Sequence, residues 1–193
     1  MKPRSRRTAG LTLAAAALPL LLIAAGCATS EVKRYEIEVR VPSPGAKPSP
    51  PRARLVLVAA DALQEPNLSR SEEYVLRERA PLAGVLLRAA AEWMRAAGIE
   101  PLEAGEAERS SGRLVVVLTR LETKIEGSNW FASAALRAER TDGSGRVLGR
   151  WETIGRGAHQ DSRIFAGASG LAMGKAIGEA LNRLPWADIA EAR

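Results

Sequence analysis

The apolar positions of this chain change period several times, and each change marks an element. Leu11 to Ala25 is an apolar run broken only by Thr12 and Pro19. Tyr35-Glu36-Ile37-Glu38-Val39-Arg40-Val41 alternates apolar and charged residues, the period of a half-buried strand. Residues 42–51 hold five prolines, which cannot continue a sheet and predict an extended linker. Arg54 to Ala60 is nearly all apolar, as in a buried central strand. Residues 61–80 are polar and poorly periodic, with a turn at Pro66-Asn67, and predict a long loop with one short edge strand around Glu73 to Leu76. Pro81 then opens a helix whose Leu82, Val85, Leu86, Ala89, Ala90, Trp93, Met94 and Ala97 form one apolar stripe, with Gly98 placed as a left-handed cap.

Gly105 to Gly112 reads as an acidic, turn-like connection. Leu114 to Leu121 and Trp130 to Glu139 read as strands, and Asp142-Gly143-Ser144-Gly145 as the hairpin turn to a third strand, Arg146 to about Arg156. A last helix carries Ala168, Leu171, Ala172, Ile177, Ala180, Leu181 and Leu184, and ends at Pro185-Trp186. Helices separated by a run of hairpin strands predict an α+β fold: one curved, mixed or antiparallel sheet of four to five strands, with two helices packed on one face. No internal repeat is visible. The expected division is 1–26 as a signal segment, 27–51 as a tether, and 52–193 as a single domain, with the folded core starting near Arg52.

The first segment changes the picture most. Lys2, Arg4, Arg6 and Arg7 precede the Leu11–Ala25 run, and the run ends at Gly26-Cys27, the only cysteine of the 193 residues. That is the layout of an export signal. A lone cysteine is usually a small buried residue or a spare thiol, but Cys27 lies before any foldable segment. A small residue before a cysteine that closes an apolar run resembles a bacterial lipobox. The resemblance implies cleavage before Cys27 and acylation of its thiol, so that the chain meets a membrane through that lipid. Two alternatives are cleavage near Ala28 without lipidation, and retention of the run as an anchor. The run is shorter than the ~20 residues a spanning helix needs. With Ala28 rather than aspartate after the cysteine, the same resemblance implies, in Gram-negative bacteria, sorting to the outer membrane with the domain facing the periplasm.

Charge then excludes a partner class. Removing the four basic residues of 1–26 from 28 leaves 24 against 22 acidic groups, a net of +2. Arginine alternates with glutamate along the rest of the chain, as in Glu72 to Arg79, so no basic face points to nucleic acid. With Cys27 acylated, no disulfide remains, and apolar packing alone must hold the core.

Candidate chemistry is sparse. His159 is the only histidine, and His159, Asp161 and Ser162 are neighbours on what reads as one polar loop. Neighbours in sequence seldom reach triad geometry, and zinc would need further ligands. Asp142 to Gly145 joins two strands and lacks a following helix, so it is a turn and not a phosphate cradle. No enzyme, cofactor or metal is expected. Gly170, Gly174 and Gly178 repeat every four residues on the last helix, although each weakens a helix by ~1 kcal/mol. Such spacing permits close approach, either inside the fold or to a partner. Trp130-Phe131 follows a turn, and in a strand one of the two rings must leave the core. Trp130, Phe131, Gly170, Gly174 and Gly178 are therefore the candidate interaction residues, for an envelope protein, a lipid or apolar ligand, or a second copy of the chain.

Over residues 20–190 the chain resembles the YajG-type lipoproteins of proteobacteria. The likeness is carried by the lipobox, Ala96-Ala97-Gly98-Ile99, the strand Leu114 to Leu121, Ile125-Glu126-Gly127-Ser128, the Asp142-Gly143 hairpin and Trp186-Ala187-Asp188-Ile189. It implies location and fold but no reaction. Arg34-Tyr35-Glu36-Ile37 resembles, in addition, the Tyr-led strand of PqiC-type auxiliary lipoproteins of ABC lipid transport systems, which implies an accessory role in moving lipid or binding an apolar ligand.

Overall fold

The long C-terminal meander sets the architecture. In a computed structural model, which describes residues 32–63, 69, 70, 74–160 and 165–192, β6 (Arg113–Glu126), β7 (Asn129–Thr141) and β8 (Val147–Gln160) pair antiparallel over almost their whole length. Two parallel strands extend the sheet on the β6 side, β2 (Ala53–Asp61) and β5 (Ile99–Leu102). The order is β5-β2-β6-β7-β8, a mixed five-stranded sheet in an α+β fold, as the hydrophobic pattern predicts.

Parallel neighbours need a crossover, and α1 (Leu82–Ala96) lies between β2 and β5 in the chain. It buries Leu82, Val85, Leu86, Ala89, Ala90 and Met94, the predicted stripe. Gly98 follows its end at φ 77°, a conformation that glycine adopts without strain. A 3₁₀ turn, Ala104–Arg109, leads into β6. α2 (Phe165–Asn182) lies against β7 and β8 on the face that α1 shares. Ala132 and Ala134 on β7 are buried, and a Cβ on Gly155 or Gly157 of β8 would strike the α2 backbone at Ala176 or Ala172. Small residues on both surfaces thus bring helix and sheet to near-backbone contact. Thr153 of β8 donates to Ala180 O at 2.9 Å across that seam.

Four features differ from the sequence expectation. First, β1 is Lys33–Ile37, and it joins a second, three-stranded sheet of order β1-β4-β3, with β4 at Tyr74–Glu78 and β3 at Ser69–Arg70. Its parallel partner β4 lies in the segment read mainly as loop. Second, the core does not start near Arg52. Ile37 and Val39 are 1% and 6% exposed, and Val32–Arg193 is one compact unit. The segment after β1 is a strap and not a free tether. At its far end Ser49 N donates to Arg95 O at 3.1 Å, Ser49 Oγ to Ala96 O at 2.9 Å and Arg52 N to Gly98 O at 2.7 Å. These bonds tie the strap to the last carbonyls of α1 and the turn after it, where the helix itself supplies no further donors.

Third, Pro185-Trp186 does not close the structure. Proline is tolerated in a first turn, and Pro185 caps a third helix, α3 (Trp186–Glu191). Trp186 is buried and its Nε1 donates to Leu181 O at 2.9 Å. Fourth, β8 continues to Gln160, so His159 is a strand residue opposite Trp130 and not part of a loop. Asp161, Ser162, Pro66, Asn67 and the whole signal segment with Cys27 lie outside the described residues. Among the described residues, no helix is long and apolar enough to cross a membrane.

Candidate functional site

Alternation divides Trp130 from Phe131. Trp130 points to the helix side, is 1% exposed, and meets Tyr74 edge-to-face with ring centroids 6.1 Å apart. It is a core residue that ties the small sheet to the large one, which corrects its expected role as an interaction anchor. Phe131 points to the opposite face, away from both helices, and is half-buried.

The glycine stripe is corrected in the same way. A Cβ on Gly170 would strike Glu38 O, one on Gly174 would strike Arg40 O, and one on Gly178 would lie 3.0 Å from Pro42 Cγ. The close approach these glycines permit is made by the chain's own residues 38–42. They are a seat for the strap, so this helix face is covered and not offered to a partner. On the strap's outer side Glu38 and Arg40 pair at 2.8 Å, and the hydrogen bond and charge of Arg40 hold the Glu38 carboxyl below its usual range.

Lys175, Glu179 and Arg183 of α2 also gain a structural role. Lys175 Nζ donates to Ala158 O at 3.0 Å and Arg183 Nη1 to Ile154 O at 2.8 Å, while Arg156 N donates to Glu179. The outward backbone groups of an edge strand invite pairing with another chain. Here one row of charged side chains occupies them from Ile154 to Ala158.

One surface left open is a concavity of about 740 Å³ on the outer face of β6, β7 and β8. Strand register builds it from two cross-strand rows: Lys124, Phe131 and Ala158, then Glu122, Ser133 and Arg156. Lys124 Nζ stands 5.6 Å from the centre of the Phe131 ring, within the range of a cation–π contact. The same ammonium lies 2.6 Å from Glu126. Ser133 Oγ donates to Glu122 across 3.4 Å, and Glu122 is 3.9 Å from Arg120. The Arg156 guanidinium has no carboxylate partner among the described residues. The cleft combines an aromatic and alanine floor with one unneutralised cation. Only Phe131 was legible as a member; Lys124, Ser133 and Arg156 are set beside it by register, which an isolated sequence does not display.

His159 shares the helix-facing side with Trp130, on the other side of the sheet from Ser133 and Glu122. Among the described residues no three His, Cys, Asp or Glu side chains are placed to hold a metal ion.

The sequence matches no protein-family model and no curated protein. Solved structures are similar. A Xanthomonas campestris protein of the DUF330 family superposes with a TM-score of 0.53 at 20% identity, over 79% of this chain and 92% of that one. This chain has that fold. A hypothetical protein from Chlamydia trachomatis gives a TM-score of 0.47 at 10% identity, over 73% and 99% of the two chains. A lipoprotein from Neisseria meningitidis gives 0.40 at 13% identity, over 57% and 88%. These likenesses do not single out the YajG type expected from the sequence.

Proposed function

We propose that this chain is a lipid-anchored envelope lipoprotein, acylated at Cys27 and facing the periplasm from the outer membrane, whose domain is a non-enzymatic binding module. The observation that carries the binding role is the cleft on the outer face of β6–β8. It is the place where an aromatic ring, small apolar side chains and the unneutralised Arg156 meet in a concavity open to solvent. Such a lining suits the acidic and apolar surface of another envelope protein. The non-enzymatic reading rests on the separation of the polar groups, since Ser133 and Glu122 stand on the face opposite His159.

The fold supports close tethering. Only residues 28–31 separate Cys27 from the compact unit that starts at Val32. At most ~3.6 Å per residue, those four residues span on the order of 14 Å. An acylated Cys27 therefore keeps the domain near the bilayer surface. Cys27→Ala is expected to release the domain from membranes, since each buried CH₂ of the acyl chains contributes ~0.8 kcal/mol. Retention of that variant on salt-washed membranes would refute the anchor.

A second reading, an accessory of an ABC-type lipid transport system, draws on one feature of the same cleft. The Phe131 and Ala158 floor, flanked by Lys124 and Arg156, suits an anionic amphiphile as well as a protein. Mild crosslinking in intact envelopes, purification, and identification of the bound species separates the two. The first reading predicts a protein adduct that Phe131→Ala and Arg156→Glu both remove, and the second predicts bound lipid removed by the same changes. Unchanged capture in both variants would refute the cleft.

A further inference from the structure

Among the described residues Arg140 is the one charged side chain in the core, 4% exposed on the helix-facing side of β7. Its Nη1 donates to Ile189 O near the end of α3. Its Nε has no partner among the described residues. No carboxylate lies within ion-pair distance among them, and burial alone lowers the pKa of the guanidinium with no opposing charge to restore it. A buried cation left without an anion is costly, and such groups are normally paired. One carbonyl explains part of the placement, as a cap on the end of α3, but not the remaining donors of the fork.

Arg140 also lines a cavity of about 690 Å³ between the end of α3, the Arg52–Ala53 corner and Ser111. Arg52 contributes a second guanidinium without a carboxylate partner among the described residues. Ala53, Ala97, Ala187, Ala190 and Ala192 form walls with little side-chain bulk. Among the described residues Glu191 is the single acid of the lining. The cavity thus holds two cations against one anion, in a volume typical of small-molecule sites.

We infer that this cavity is an anion site, in which Arg140 and Arg52 together take the carboxylate or phosphate group of a small molecule. The guanidinium fork matches a planar or tetrahedral oxyanion through paired hydrogen bonds. One added negative charge balances the described lining. The site is separate from the Phe131 cleft, and its fate does not depend on the partner proposed for that cleft.

The test uses the full chain in detergent, with inorganic phosphate and acetate as probes at constant ionic strength and chloride as the control. The Arg140 Nε–Hε resonance is followed by ¹H–¹⁵N NMR, and the melting temperature in parallel. Phosphate or acetate is expected to shift that resonance and to raise the melting temperature along one saturating curve. The more effective probe distinguishes a phosphate ligand from a carboxylate. Arg52→Gln is expected to weaken binding about tenfold, the loss of one charged hydrogen bond, and Glu191→Gln to tighten it. Arg140→Met should abolish the response. If that variant fails to fold, the Arg140 resonance and the Arg52→Gln comparison still decide. No shift with either probe, or a response that survives Arg140→Met or is untouched by Arg52→Gln, would overturn the inference.

Discussion

Gly174→Ala is the smallest change that separates a glycine kept for packing from one that is merely tolerated. In an ordinary helix the substitution stabilises by ~0.5–1 kcal/mol. At position 174 the new methyl has no room, because it would strike Arg40 O and come within 2.5 Å of Arg40 C. Both are backbone atoms of the strap and cannot rotate away. The strap must lift, and with it Val39, 6% exposed, and the half-buried Val41 leave the core. Losing one buried valine costs ~1.5–3 kcal/mol. Set against the intrinsic gain, this gives a net destabilisation of ~0.5–2.5 kcal/mol. Gly84 in α1 supplies the control, since a Cβ there meets only the Arg88 Nη1 at 3.8 Å. Gly84→Ala should stabilise, so the two variants should move the urea midpoint in opposite directions. Trypsin should cut after Arg40 faster in Gly174→Ala than in the parent, while Lys47, followed by Pro48, offers no site. A midpoint raised equally in both variants would show that the strap is not seated on the glycine stripe.

Two further outcomes follow from single residues. Trp130→Ala should cost ~3–5 kcal/mol by urea titration, as expected for a fully buried aromatic, and a change below ~1 kcal/mol would remove it from the core. Asp142 accepts hydrogen bonds from the Ser144 hydroxyl at 2.6 Å and amide at 2.9 Å and from the Arg146 amide at 3.0 Å, and these hold its carboxyl below the usual range. Its folded pKa is thus lowered, so its support of the β7–β8 turn is present above the ordinary aspartate pKa and fades as pH falls through the lowered value. The protection factors of the Ser144 and Arg146 amides, taken against intrinsic exchange at each pH, should fall as pH drops below ~4 in the parent and be low at every pH in Asp142→Asn; protection factors independent of pH in the parent would contradict this.

The parts of the fold legible in the sequence are those held by side-chain periodicity. The α1 stripe from Leu82 to Met94, the apolar β2 and β6, and the Asp142-Gly143 hairpin each bury one face, and burial writes itself into spacing. The strap shows the opposite case. Its five prolines erase any period, and what seats it is backbone against the bare positions of Gly170, Gly174 and Gly178. Those glycines signalled a close approach but not to what. β1 alternated clearly, and a short edge strand was legible around Glu73 to Leu76, but nothing in that polar segment announced that this strand, β4, pairs parallel with β1 in a second sheet. For the site, the alternation rule required Trp130 and Phe131 to part company, and only the three-strand register decided which one faced out. Arg140 gave no signal at all, because an arginine opposite a glycine on a long strand reads as solvated surface.

The central claim, that the outer face of β6–β8 is where this domain binds, is tested most directly by photocrosslinking in intact envelopes. A photoreactive amino acid is placed in turn at Phe131, at Ala158 and, as a reference, at Leu87, which is 41% exposed on α1. The account predicts one discrete adduct from positions 131 and 158 and none from 87. Adducts from Leu87 alone, or equal labelling from all three positions, would contradict it.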